Sequence, residues 1–429
     1  MLLMLLAVSL LMTYCEKRQQ AHQEKPEALA YVPLSQPAVD NGETFQAAAV
    51  SETQTPALST LASPPDAATV EFIHQLLNDS LPLKIRRQTA RSLAKLGSDQ
   101  ALVALKAALR EGTPYLRAAI GEGLGECLHS EARGLLADLA NNAEETAARG
   151  AIRGMALRAD AEAVELLGNM LFDPYKPDSV RTEAALALGD IHQPAALTLL
   201  TRAANEIQDE TINEHAIEGL GRRPFDETAD FFHSYLESSA ASAESKSEAL
   251  EALSQAEGDV GPVLLKYASD PNPEIRAAAA WSLSAMETQT DFGLQLLALL
   301  QQETSPEVRL RLYQALANQE SCDWPSVLTL AKSESEPGPR LAGFSLVAQA
   351  CSAVSVPEVL DFFSQTALPE LKIIALSSPS PEDRLTAAII LRRAGTTQSA
   401  AALHELSRQS NDAKVIAAAQ AAFQRRAKQ

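Results

Sequence analysis

The chain has 429 residues, of which 55 are Asp or Glu and 36 are Lys or Arg, so its formal net charge is −19. An acidic surface of this kind repels the phosphate backbone of nucleic acids and the headgroups of anionic lipids. The charge therefore argues against a nucleic-acid-binding protein, and it favours a protein partner that is neutral or basic.

Residues 2–14 are almost wholly apolar, and Cys15 follows them directly. A membrane-spanning helix needs about 20 apolar residues, so this short run is typical of a signal or anchor segment, predicted over residues 1–15. A hydrophobic run that ends in Cys resembles a bacterial lipoprotein signal. The resemblance implies lipidation of Cys15 and a membrane-anchored, extracytoplasmic protein of the bacterial cell envelope. An uncleaved anchor and a protein that is not exported are the alternatives.

Residues 16–68 show no helical or strand periodicity, and the segment is rich in Ala, Gln, Ser and Thr. Its six prolines are Pro26, Pro33, Pro37, Pro56, Pro64 and Pro65. This composition predicts a disordered tether, which would hold a folded body away from a membrane. A disordered tail without a specific role is the alternative.

From residue 69 to residue 429 the sequence repeats with a period of about 32 residues, marked by an arginine at the same place in most units. Asn213 and Lys246 occupy two places in the series, and Lys414 occupies the last. The arginines are Arg86, Arg117, Arg149, Arg181, Arg276, Arg309, Arg340 and Arg384. A period of this length predicts a solenoid of stacked helix pairs without a globular centre.

Each arginine lies near the start of a predicted first helix, whose apolar residues recur at three- and four-residue spacing. In the clearest copy, Asn272 is an N-cap and Pro273 occupies the first helical position. Ser-Pro-Glu precedes Arg309 and Arg384 in the same way. A glycine follows several of these helices and predicts a C-cap; these glycines are Gly97, Gly125, Gly189 and Gly221. A second apolar helix follows each turn.

The pattern Asp-x-Asn-Pro-x-Ile-Arg-x-x-Ala-x-x-x-Leu, at residues 270–283, resembles HEAT repeats, and more closely the short HEAT-like class named for phycobilisome lyase subunits. The resemblance covers residues 70–429 in eleven units. It implies an all-α fold, a right-handed α-α superhelix of about eleven helical hairpins. The wider interval between Arg340 and Arg384 predicts an insertion around residues 368–380. By the same resemblance, the second helices line the inner surface, with Lys106, Asp138, Glu165, His233 and Lys266 among its outward positions.

Chemical motifs are scarce in this sequence. His404-Glu405 is a single His-Glu pair, whereas the HEAT-like hydroxylases that hold two irons carry several, so no metal or other cofactor is expected. Cys322 and Cys351 belong to adjacent units, and they form either a disulfide or two independent small apolar side chains near turns. No Cys-x-x-Cys and no Gly-x-Ser-x-Gly is present.

The row of arginines has two interpretations. It is either an anion-binding row or a set of side chains that cover apolar surface and pair with acids of adjacent units. The excess of acid favours pairing, with Asp178, Glu274 and Glu307 as partners. We therefore predict a non-enzymatic, membrane-tethered scaffold that binds a protein along the inner helices of the solenoid. The alternative is a lyase-type or chaperone-like accessory that positions a chromophore or cofactor on a partner protein.

Overall fold

The computed structural model describes residues 67–78, 80–286, 290–353 and 356–426. These residues belong to one compact unit of the chain. The signal segment and nearly all of the tether, including Cys15, lie outside the described residues. The first described helix, α1 (Ala67–Leu77), begins two residues before residue 69, the predicted start of the solenoid. No helix in the described ranges combines the length and the apolarity that crossing a bilayer requires.

The described residues form helices in antiparallel pairs joined by short turns, with no strand among them. The first helices of the pairs are α2 (Leu83–Leu96), α4 (Pro114–Gly125), α6 (Glu145–Arg158), α8 (Asp178–Gly189), α10 (Glu210–Gly221), α12 (Ala243–Leu253), α14 (Pro273–Ala285), α16 (Pro306–Leu316), α18 (Pro337–Ala353) and α21 (Pro381–Ala394). The second helices are α3 (Asp99–Glu111), α5 (Ala132–Asn142), α7 (Ala161–Phe172), α9 (Pro194–Glu206), α11 (Phe225–Glu237), α13 (Gly261–Tyr267), α15 (Gly293–Gln302), α17 (Trp324–Ser333), α19 (Pro357–Phe362) continued by α20 (Leu368–Ser377), and α22 (Thr397–Gln409). Helix α1 precedes the first pair, and α23 (Ala413–Arg426) follows the last.

The structure confirms the three proline-marked helix starts, at Pro273, Pro306 and Pro381, and two of them also have a side-chain cap bond. The Asn272 side chain accepts a hydrogen bond from the Glu274 backbone N–H at 2.9 Å, and Pro273 is the first residue of α14. Ser380 accepts from the Asp383 N–H at 3.2 Å in the same way. Ser305 precedes Pro306 but makes no side-chain cap bond, so there the proline alone marks the start of the helix.

The apolar stripe of each helix is buried against its own pair and the neighbouring pairs. On α4, for example, Leu116, Ile120 and Leu124 are fully buried. The buried side chains form two clusters along the chain, one from Ile73 to Leu346 and one from Leu341 to Ala419. The core is therefore a row of interfaces between pairs, as expected of a solenoid, and it changes from one cluster to the other at α18.

The wide interval before Arg384 is accommodated differently from the prediction. Residues 368–377 are not a separate insertion, because they continue the second helix of the ninth pair through a π-helical turn, Phe363–Ala367. The first helix of that pair, α18, has 17 residues and is longer than the other first helices. The extra residues thus lengthen both helices of the pair.

The glycines of the first helices mostly serve close packing, which corrects part of the prediction. Gly97 does end α2 with a left-handed φ of 58°, as a C-cap should. Gly125 instead is the last helical residue of α4, and a Cβ atom there would lie 2.3 Å from the Gly154 carbonyl oxygen of α6. Likewise, a Cβ atom at Gly221 of α10 would lie 2.2 Å from the Ala252 carbonyl oxygen of α12. Adjacent first helices therefore touch backbone to backbone.

The second helices are spaced more widely than the first. A Cβ at Gly168 of α7 would first meet side-chain atoms of Leu199 on α9, and the second helices of adjacent units contact each other much less than the first helices do. In a stack of helix pairs, the more closely spaced layer lies on the inside of the bend, because its radius is smaller. The closer spacing of the first helices therefore assigns them to the inner layer, in contrast to the prediction that the second helices line the inner surface.

Candidate interaction surface

The solvent-facing side of the first helices, called the inner face below, carries a row of paired charges from α2 to α8. Arg153 on α6 donates to Glu122 on α4 and to Glu183 on α8, both at 2.8 Å. Glu122 also accepts from Arg91 on α2, and Glu183 accepts from Arg149 at 2.8 Å. Burial alone would raise the pKa of Glu122, but its hydrogen bonds with Arg91 and Arg153 outweigh burial and lower it. The positive and negative charges on this part of the inner face therefore neutralise one another.

Beyond α8 the pairing is incomplete. Glu218 on α10 still pairs with Arg222 at 2.9 Å, but α10 and α12 also present a set of further carboxyl groups. We call this set the acidic stretch: Glu210 and Glu214 on α10, and Glu244 and Glu248 on α12. Burial raises the pKa of Glu248 to about 8, with a further contribution from the charge of Glu214, the hydrogen bond to it, and the charges of Glu244 and Glu210. The charged neighbours that shift this group are thus all acids, in contrast to the arginines around Glu122.

An aromatic side chain and a cation follow the acidic stretch along the inner face. The guanidinium of Arg311 on α16 lies 5.1 Å from the ring centroid of Trp281 on α14, within cation–π range. Arg311 also donates to Glu307 at 2.9 Å. Burial raises the pKa of Glu251 on α12, although the positive charge of Arg311 opposes the shift. The half-exposed Trp281 ring is a suitable apolar contact for a partner at this end of the stretch.

The repeat arginines lie near the N-terminal ends of the first helices, where most of them connect neighbouring units, and Arg149 is the one that belongs to the charge row through Glu183. Arg86 and Arg181 donate to backbone carbonyls at the end of the preceding helix, those of Leu76 on α1 and Leu171 on α7. Others bind an acid placed just before the first helix of the next unit: Arg117 with Glu144, Arg276 with Glu303, Arg309 with Glu334, and Arg384 with Asp412. The guanidinium N–H groups of these arginines are directed to these carbonyls and acids, so the arginines join neighbouring units.

The acids that pair with the arginines differ in part from the predicted ones. Asp178 does lie near Arg181, with 3.6 Å between Oδ1 and Nη1. Glu307 instead pairs with Arg311, and the acid bound by Arg276 is Glu303 instead of Glu274. The sequence points to the wrong partners because proximity along the chain is not proximity in the stack, where the nearest acid belongs to the following unit.

Cys322 and Cys351 are free, half-buried thiols in this structure. Burial raises the pKa of each thiol to about 11, which leaves little reactive thiolate at neutral pH. The disulfide between them stays a prediction. Within the described ranges, no three His, Cys, Asp or Glu side chains are grouped so that they could hold a metal ion, and His404-Glu405 gains no such companions.

A family model described as HEAT repeats matches residues 48–125, 132–221 and 229–317, which together are more than half of the chain. The chain belongs to the HEAT-repeat family. The first match begins at residue 48, so the family pattern extends into the segment predicted as a tether. No curated protein sequence matches the chain of this HEAT-repeat protein.

Several solved structures resemble this HEAT-repeat protein at low sequence identity. An engineered protein is 18% identical with a TM-score of 0.35, and the match covers 83% of this chain and 98% of that protein. The karyopherin Kap121p bound to the SUMO protease Ulp1p is 12% identical with a TM-score of 0.45, over 84% of this chain and 49% of that one. Kap95p, from a structure with RanGDP, is 14% identical with a TM-score of 0.43, over 82% and 50%. The chain spans about half the length of these karyopherins.

Proposed function

We propose that this HEAT-repeat protein is a non-enzymatic scaffold that binds a protein partner along its inner face, and that the acidic stretch receives a basic segment of that partner. The observation that carries the proposal is the change in charge along one layer of helices. From α2 to α8 the acids Glu122 and Glu183 are matched by arginines, whereas the charges that act on Glu248 belong to other acids, with Glu214 first among them. Lysine or arginine side chains of a partner would supply the missing donors.

The inner face also offers the shape that a chain-like partner requires. Its first helices are adjacent and nearly in backbone contact, so their side chains form one continuous surface across several units. Trp281 and Arg311 adjoin the acidic stretch and provide an aromatic contact beside the carboxyl groups. A basic segment that carries an apolar residue would contact both parts of the surface.

The test is capture of partners from detergent-solubilised membranes by three forms of the full chain. The wild type is compared with the double variant Glu214→Lys and Glu248→Lys, and with Glu165→Lys as the matched control. Glu165 is an exposed acid on the second helix α7, outside the inner layer. The proposal requires a protein that the wild type and the Glu165 variant retain and that the double variant loses. A protein lost only from the Glu165 variant would contradict it.

We propose in addition that the scaffold is tethered to a membrane through its N-terminus, with lipidation at Cys15 and residues 16–68 as the spacer. The apolar run of residues 2–14 directly before Cys15 supports this location. Mass measurement of the mature N-terminal peptide tests it. The expected result is a chain that begins at Cys15 and carries acyl mass, and an unmodified chain that begins at Met1 would contradict it.

A further inference from the structure

Three leucines project from one edge of the solenoid, in three successive units. Leu96 is 49% exposed, Leu128 is 96% exposed and Leu157 is 58% exposed. All three lie where a first helix gives way to its second helix: Leu96 is the last residue of α2, Leu128 follows α4, and Leu157 is next to last in α6. We call this set the leucine edge.

Contacts between the turns place the three leucines side by side. A Cβ atom at Gly97 would lie 3.8 Å from the backbone nitrogen of Leu128, and Arg158 donates from Nη1 to the Cys127 carbonyl oxygen at 2.9 Å. Gly97 and Arg158 each directly follow one of the two outer leucines in the sequence. Because adjacent helices lie about 8–10 Å apart, the three side chains form a line roughly 20 Å long.

The turn that carries Leu128 is fixed on both sides of this residue. The buried Cys127 precedes Leu128, and the mostly buried His129 side chain follows it. His129 Nε2 lies 2.9 Å from Asp99 Oδ1, and the Glu131 backbone N–H donates to His129 Nδ1 at 3.1 Å. Because both of its neighbours are anchored in the fold, the Leu128 side chain is held outward, where its apolar surface is available to another molecule.

The units that carry the leucine edge are nearly neutral, in contrast to the middle of the solenoid. Residues 83–172, from α2 to α7, contain 12 basic and 11 acidic side chains. Residues 210–333, from α10 to α17, contain 8 basic and 20 acidic side chains. Anionic headgroups of a bilayer therefore repel the middle of the solenoid, whereas the first three units can approach a bilayer without this cost.

We infer that the leucine edge rests on a lipid bilayer, with Leu96, Leu128 and Leu157 inserted at the level of the headgroups. The inference rests on the membrane tether proposed above, whose spacer joins the solenoid at α1, directly before the first of the three units. The expected reach of residues 16–66 is about 40 Å, which keeps the edge close to the membrane that holds Cys15.

A bilayer fits the leucine edge better than a folded protein does. Apolar side chains at a membrane surface insert about 5–10 Å, to the boundary between headgroups and acyl chains, and they need no preformed groove. A protein partner would have to match a line of separate side chains in three units. The contact also fixes which edge of the first three units faces the membrane, and it leaves the acidic stretch, on the fifth and sixth units, to the basic segment of a partner.

The test uses the full chain with its native N-terminus, reconstituted into phosphatidylcholine vesicles with and without bromine on the acyl chains. Bromine quenches the fluorescence of a tryptophan that contacts these chains. Leu128→Trp should lose roughly half of the emission of its added tryptophan in brominated vesicles, because the leucine edge reaches the acyl boundary. Trp281 and Trp324 are present in every form and provide the same background.

Leu294→Trp is the matched control. Leu294 is 63% exposed near the start of α15, in the acidic part of the chain, and its replacement should show no quenching. Leu157→Asp, added to Leu128→Trp, should reduce the quenching at least about twofold, because a charge at the edge opposes insertion. Leu294→Asp, added to Leu128→Trp, should leave the quenching unchanged.

Flotation of the vesicles separates failure of the inference from failure of the tether. If the chain floats with the vesicles and the added tryptophan of Leu128→Trp keeps its emission, the bilayer contact is refuted and the tether stands. If the chain does not float, both are refuted. Equal quenching of Leu128→Trp and Leu294→Trp would also overturn the inference. So would the absence of quenching together with a captured protein that Leu128→Asp loses, which would assign the edge to a protein.

Discussion

Arg309 and Glu334 form a buried ion pair across two successive units, with the Nε of Arg309 at 3.1 Å from each carboxylate oxygen. The Tyr313 hydroxyl donates to the same carboxylate at 2.9 Å, and Glu334 is only 6% exposed. Burial, and then the negative charge of Glu334, raise the pKa of Tyr313. One carboxylate thus satisfies two side chains of the preceding unit.

Replacing Glu334 by Ala should destabilise the chain by about 3 kcal/mol, because it leaves the guanidinium of Arg309 and the Tyr313 hydroxyl without their common partner. Urea unfolding monitored by circular dichroism measures the change. The matched control is Glu307→Ala, which breaks the exposed pair with Arg311 and should cost below about 1 kcal/mol. Equal losses for the two variants would show that burial of Glu334 is not what matters.

The close contact of the first helices predicts a difference between two glycine-to-alanine changes. Gly125→Ala places a methyl group 2.3 Å from the Gly154 carbonyl oxygen, so α4 and α6 must separate. We expect a loss of about 2 kcal/mol or more from the steric clash. Gly134→Ala on α5 meets no atom within 4 Å and should stabilise the helix by about 0.5 to 1 kcal/mol. Thermal unfolding of both variants distinguishes the glycine held between two backbones from the solvent-exposed one.

Acid should weaken the charge row of the inner face at Glu122. The pKa of Glu122 is lowered in the folded chain, so its pairing contributes stability above the unfolded-state value near 4.5. That contribution is lost as the pH falls through the folded value. The variant Glu122→Gln should therefore lose less stability than the wild type between pH 6 and pH 3 in urea unfolding. A control variant at the exposed Glu165, Glu165→Gln, should follow the wild type.

The two buried clusters predict that the solenoid does not unfold in one step. The change from one cluster to the other occurs within α18, where Leu341 belongs to one and Leu346 to the other. Phe344→Ala should shift a transition of the C-terminal units, and Ile120→Ala should shift a different, larger one. Hydrogen exchange at rising urea concentrations identifies which helices open in each transition. Identical shifts of a single transition would contradict this division.

The sequence predicts those features of the structure that are determined by residues close to one another in the chain, within about one helical turn. Asn272 and Pro273 mark the start of α14 because a cap bond joins residues two apart, and the apolar stripe of α4 is visible in its own spacing. The period of the arginines then predicts the stack of pairs. Each of these features depends on neighbours in the chain.

The features that the sequence did not predict depend on neighbours in space. The sequence around Gly125 predicts a C-cap. Only the position of Gly154, in the next unit, shows that Gly125 allows the two helices to pack closely. The same holds for Glu214 and Glu248, which lie 34 residues apart and are unremarkable in isolation. For the charge row of the inner face, the sequence did contain a signal. Arg91, Glu122 and Arg153 follow one another at 31-residue spacing, which repeats the period of the units.

The assignment of the inner face depends on the spacing of the two layers, and inter-label distances measure that spacing directly. Spin labels at Lys95 and Leu157 report on equivalent exposed positions of the first helices α2 and α6, and labels at Val103 and Glu165 report on the second helices α3 and α7. In a chain without other cysteines, we predict that the first pair is closer than the second by roughly 4 Å or more. A shorter distance between Val103 and Glu165 would place the second helices inside and contradict the proposed binding surface.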